Sequence, residues 1–237
     1  LFEKKFGKYA DKIPASWFWA RIKKRSASLG YPEGGFESLA KTIEEKTKRN
    51  GGIFKYSVEV KEISKKGNKF RLVTDRDVHY FDKVICTLPS FLFARITPDL
   101  PESYKKSILR LKGLGAVNLV LILKKKFLED NSYWVNINEM DYSFLGVMEQ
   151  TNFMDPKYYA GDRVIYVGNY VPLDHKYFEK SANELLDEFL PFLKQINPHF
   201  NKNSVKKALV FKSPFAQPII PLNYSKILPK IETPIGG

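Results

Sequence analysis

The feature that most constrains this chain is the order of elements written into residues 31–89. After Gly34-Gly35, the residues Phe36, Leu39, Ala40, Ile43 and Thr47 recur at helical spacing, with Glu37, Lys41, Glu44 and Lys48 on the other face. Asn50-Gly51-Gly52 stops that helix with residues that tolerate positive φ. Short strands are predicted at 53–54 and 57–63. Lys66-Gly67-Asn68 turns the chain into a strand at 70–73, and Asp75-Arg76-Asp77 turns it again into 78–80. The apolar run Val84-Ile85-Cys86 is too continuous for a half-exposed strand and suits a buried parallel one. A simple doubly wound unit would cross over here with a helix, so the meander is a specific architectural choice.

The flanking segments read differently. Residues 15–26 predict a short helix in which Trp17, Phe18, Trp19 and Ile22 stand among Arg21, Lys23, Lys24 and Arg25. Such a cluster could stack on nucleobases, but aromatic packing of the helix onto the core is the preferred reading. Beyond Pro89, a helix is predicted from Pro101 through Leu111, then strands at 116–123, 132–137, 142–148 and 163–170. Ser181-Ala182-Asn183-Glu184 has the form of a capping box and opens a helix carrying Leu185, Leu186, Phe189 and Leu193, which Pro191 should kink or split. A strand at 205–211 and an extended Pro-rich passage at 214–221 close this second, mixed α+β region.

Composition limits the function classes. The 237 residues can bury a sizeable core, and 43% hydrophobic with 27% charged residues is ordinary for a folded protein. No uncharged apolar window reaches the roughly 18 residues needed to span a membrane. The formal charge of +13 comes from 31 Lys and only 8 Arg, spread over every segment. That favours a solvated surface over the arginine-rich chemistry of nucleic-acid recognition. Cys86 is the single cysteine and reads as a small buried hydrophobe; cysteine poverty and the lack of a signal-peptide pattern point to the cytoplasm. His79, His175 and His199 stand apart, so no metal-ligand spacing is present. The chain opens at Leu1 and closes on Thr233-Pro234-Ile235-Gly236-Gly237, and both ends read as cut from something longer.

The blocks Gly30-Tyr31-Pro32-Glu33-Gly34-Gly35-Phe36 with Leu39, Gly51-Gly52-Ile53, Val60-Lys61-Glu62-Ile63 and Asp82-Lys83-Val84-Ile85-Cys86-Thr87-Leu88-Pro89 resemble, in order and spacing, those of the flavin-containing amine oxidase superfamily. That group includes monoamine oxidases, protoporphyrinogen oxidases and carotenoid desaturases. The resemblance implies an α/β plus α+β protein. Residues 1–97 would be part of an FAD domain of the type with two dinucleotide-binding domains and a β-meander. Residues 98–222 would be a mixed-sheet substrate domain, and 223–237 would begin the return to the FAD domain. No G-x-G-x-x-G follows an apolar strand, so the flavin pyrophosphate cradle is missing and this chain alone should not bind FAD.

The resemblance also places candidate site residues. The main chain of Val60 would lie beside the flavin adenine. Thr87, Leu88 and Pro89 would end the buried strand at the cofactor, and Gly34 and Gly35 would permit close backbone approach, or simply tight packing. From the residues themselves, Asn118, Glu149, Gln150, Asn169 and Tyr170 are polar groups in or ending apolar strands, and Asn118, Glu149 and Tyr170 are the candidates for touching a small-molecule substrate. The reaction implied is hydride removal from a C–N or C–C bond to flavin, which needs no legible acid–base dyad. Two other readings stay open: a flavin-dependent sugar-nucleotide mutase, and a non-catalytic module binding an acidic partner.

Overall fold

The computed structural model describes residues 1–24, 26 and 28–235. Arg25 of the basic cluster and Gly236-Gly237 of the closing motif thus lie outside the described residues. In chain order come helices α1 (Phe2–Phe6), α2 (Ala15–Lys23) and α3 (Gly35–Arg49), then strands β1 (Val60–Lys66), β2 (Lys69–Thr74) and β3 (Val78–Phe81). Helices α4 (Ser90–Ile96) and α5 (Glu102–Leu109) precede β4 (Gly113–Leu123), β5 (Trp134–Asn136) and β6 (Gly146–Glu149). Then follow α6 (Gln150–Phe153), β7 (Arg163–Val171), α7 (Ala182–Ile196), β8 (Val205–Pro218) and α8 (Tyr224–Ile227). The chain divides into two compact units, one of Leu1–Trp17 with Gly113–Leu222 and one of Phe18–Lys112 with Asn223–Gly237.

In the first unit, five antiparallel strands run in the order β5-β6-β7-β4-β8. Strand alternation sends Val117, Leu119, Leu121 and Leu123 of β4 to one face, where they are buried with Ile165 and Val167 of β7. The same core takes Leu185, Leu186, Phe189 and Leu193, the apolar stripe of α7. Ser181 and Glu184 form the expected capping box. Pro191 does not split the helix: it lies on the exposed side, while Phe189 and Leu193 on either side of it are held in the core. The Pro-rich passage is partly strand, since β8 continues to Pro218.

Over one end of the opposite sheet face lie α1 and the 3₁₀ turn Gly7–Lys12, burying Phe6 and Ile13 with Leu114 and Ile219. Trp17 stands edge-on to Phe6 with centroids 5.0 Å apart.

The second unit contains the predicted meander, β1-β2-β3, turned between its first two strands by Gly67 at φ 59°. Ile63 and Phe70 pack with Ile96 of α4, and Ala94, Leu100 and Ile108 form a neighbouring cluster. Two expectations need correction. Residues 53–54 are not a strand, and neither is Val84-Ile85-Cys86. No described strand lies where either could pair, and Ile85 is 92% exposed. Continuity of apolar residues marks a segment fit for burial between strands, but only paired backbone makes it one. Helix α3 has its predicted bounds and amphipathic pattern, yet none of its residues is buried.

Candidate functional site

The register of the first unit's sheet decides which polar residues share a surface. Directly opposed residues of antiparallel strands point to the same face. One row across the open face, away from α7, runs Trp134, Met148, Tyr166, Val120 and Leu209. The next runs Asn136, Gly146, Gly168, Asn118 and Phe211, and the one after contains Tyr170, Ala116 and Ser213. Asn118 and Tyr170 are therefore brought to one face.

The two glycines of the middle row leave room that Asn118 fills. A Cβ on Gly168 would stand 2.7 Å from Asn118 Oδ1, so the amide lies directly over that glycine. The side chain is half-buried and, among the described residues, hydrogen-bonds to no protein group. Around it are the exposed Phe211 and the half-buried Tyr166 and Met148. At the covered end, the Lys5 ammonium sits 5.1 Å from the Tyr170 ring centroid and 5.2 Å from that of Trp17. This is an open, largely aromatic and aliphatic surface with one unengaged amide, suited to an apolar organic molecule carrying a hydrogen-bonding group.

Glu149 is placed elsewhere. It pairs with Ile165 on the core face and is 0% exposed. Its carboxylate accepts from the Phe127 N–H at 3.1 Å and the Leu128 N–H at 2.5 Å. Burial raises its pKa, against the lowering effect of those two donors and of the Arg163 charge. Gln150 donates to the Tyr159 hydroxyl at 3.1 Å and Asn169 to the Ser143 carbonyl at 2.7 Å, so both are already engaged with neighbouring segments. The residues that sequence reasoning missed, Trp134, Met148, Tyr166 and Phe211, carry a period-two signal. It reveals a common face only once the register is known.

In the second unit, Gly34 caps α3 at φ 73° and Gly35 follows at φ 82°, a backbone conformation that L side chains rarely adopt. A Cβ on Gly34 would meet Ser38 at 2.9 Å, so close packing is part of its role. Val60 opens β1, an edge strand. Glu59 gives its C=O to the Asp75 N–H and its own N–H to the Asp75 carboxylate. Strand alternation then turns the N–H and C=O of Val60 to the outer edge, where a purine could meet them. Thr87 and Leu88 are exposed and Pro89 is the N-cap of α4. Among the described residues, no group of His, Cys, Asp and Glu could hold a metal ion, and no helix is long and apolar enough to cross a membrane.

Solved structures share this mixed architecture of helices and antiparallel sheets. A protein assigned as a protoporphyrinogen oxidase from Exiguobacterium sp. 255-15 matches at 18% identity and TM-score 0.67, over 81% of this chain and 42% of its own. An oxidoreductase from Methanosarcina mazei matches at 22% identity and TM-score 0.72, over 98% of this chain and 56% of its own. Reduced UDP-galactopyranose mutase matches at 14% identity and TM-score 0.66, over 90% of this chain and 48% of its own. At these identities the likeness is one of fold, and the chain spans about half the length of each of the three. No curated protein matches it.

The sequence pattern of the flavin containing amine oxidoreductases matches residues 14–226. The chain belongs to that family.

Proposed function

We propose that this chain is part of an FAD-dependent oxidoreductase that removes hydride from a C–N or C–C bond of a small apolar substrate. The observation that carries the substrate side is the open sheet face with the unengaged Asn118 amide above Gly168. Asn118 would orient a polar group of the substrate, while Tyr166, Met148 and Phe211 would hold its apolar body and exclude water. Glu149 enters this reading as a support for the loop at 127–128 rather than as a contact surface. FAD, when bound, supplies the hydride acceptor. On the cofactor side, the outward backbone of Val60 fits a purine edge, and Thr87, Leu88, Pro89, Gly34 and Gly35 are proposed to line the approach. With no G-x-G-x-x-G in its sequence, the 237-residue chain alone is expected neither to retain FAD nor to turn over.

The likeness to UDP-galactopyranose mutase supports an isomerase as the second reading. Against it, Arg163 is the sole arginine between residues 113 and 222, and its guanidinium donates to the Thr151 carbonyl at 3.3 Å. A pair of arginines to clamp a diphosphate is therefore not at hand on this sheet. The two readings separate in one experiment on the flavin-loaded gene product that carries this chain. Anaerobic mixing with amines, porphyrinogens and polyenes should bleach the flavin with one of these classes, and Asn118→Leu should slow that bleaching while leaving the resting spectrum unchanged. Interconversion of UDP-galactose forms with no bleaching by any class would replace the oxidoreductase reading by the mutase.

A further inference from the structure

Strand β4 ends at Leu123, and the next three residues are Lys124, Lys125 and Lys126. The segment between α7 and β8 stands against them. Together they border a half-open cavity of about 280 Å³, whose polar lining includes the three lysines, His199, Asn201 and Asn203.

The walls are fixed before any ligand arrives. The Lys124 N–H donates to the Ser204 carbonyl at 2.9 Å, and its ammonium donates to the Asn203 carbonyl at 2.8 Å. Asn197, 8% exposed, gives its amide N–H to the Phe127 carbonyl at 2.8 Å and accepts the His199 N–H at 2.9 Å. One buried side chain thus pins both walls.

The charge of this cavity is only partly compensated. Among the described residues, none of the three lysines forms an ion pair; the partners of Lys124 and Lys126 are neutral, the Asn203 carbonyl and the Asn131 amide oxygen. Elsewhere Lys180, Lys202 and Lys206 pair with Glu188, Asp187 and Asp162. Glu129 is the one carboxylate in the lining. Three lysines and one carboxylate leave the lining net positive, and a multivalent anion suits such a lining. Ammonium groups recognise phosphate as point charges, and Asn201, whose amide also donates to the His199 carbonyl at 3.3 Å, and Asn203 stand in the same lining.

We propose that this cavity binds a small multivalent phosphoryl anion of the diphosphate class. The site is independent of the sheet face assigned to the substrate.

The test titrates the gene product that carries this chain with inorganic pyrophosphate, and in a second arm with ADP, following backbone amide shifts. Saturable binding should move the signals of Lys125, Asn201 and Asn203 and weaken as salt is added. Lys125→Glu should raise the Kd by about tenfold or more, equivalent to about 1.4 kcal/mol, and Asn201→Asp should weaken binding in the same sense. Lys66→Glu, a charge reversal in the other unit, should leave it unchanged. ADP binding at least as tightly as pyrophosphate assigns the site to esterified diphosphates, and weaker ADP binding assigns it to the free anion. Shifts that never saturate, or an equal loss on Lys66→Glu, would show a generally cationic surface and overturn the proposal.

Discussion

Glu149 shows how a residue's chemistry is set by what it is buried against. A carboxylate among strands suggests a ligand contact in sequence, yet this one is consumed by two backbone donors. Glu149→Leu should leave the Phe127 and Leu128 N–H groups buried and unpaired, at about 1–3 kcal/mol each. Its raised pKa gives a pH signature of definite sign. The folded chain holds the proton more tightly than the unfolded chain, so the contribution is fully present below the ordinary glutamate pKa. It is lost as pH rises through the elevated value. Denaturant unfolding of wild type and Glu149→Gln at several acidic pH values should show the wild-type advantage shrinking as pH rises. A difference that is flat across that range would contradict the assigned cause. Asn118 makes the opposite case, a polar residue left unengaged. Gly168→Ala should displace its amide, altering substrate-driven flavin reduction in the loaded gene product with a stability change under about 1 kcal/mol in unfolding melts, because the group displaced is the end of a flexible side chain.

At the scale of elements, the sequence was legible wherever local chemistry decides. The capping box of α7, the glycine-led start of α3, the turn at Gly67 and the meander all follow from short-range rules. Register was not legible, because it depends on partners distant in sequence: nothing near Asn118 says that Gly168 and Phe211 lie beside it. For the same reason Asn118 and Tyr170 could be proposed while Tyr166 and Met148, in the row on the other side of Asn118, could not. Val84-Ile85-Cys86 failed in the other direction, apolar enough for a buried strand but with no described neighbour to pair with. Two substitutions test the packing argument. Pro191→Ala restores a helix N–H on the exposed face and should raise stability by about 1–3 kcal/mol, read from denaturant midpoints. Gly115→Ala should lower it by about 1–3 kcal/mol, since its Cβ would stand 2.4 Å from the Phe178 ring, which is packed against the core.

At the scale of the whole molecule, the two units carry different features. One carries a sheet with a helix-packed face and an open face bearing Asn118. The other carries an edge strand whose first residue turns its backbone outward, and a helix, α3, whose apolar side chains Phe36, Leu39 and Ile43 are exposed. Family membership is shared by enzymes of several substrate classes, so the reaction must be argued from the site. We propose above that this chain serves a flavin. The most direct measurement is the visible absorbance of the gene product that carries it, purified from cells, followed by release and identification of any chromophore. A bound-FAD spectrum that bleaches with dithionite and returns in air is expected. A colourless, folded protein that takes up no added FAD would contradict it.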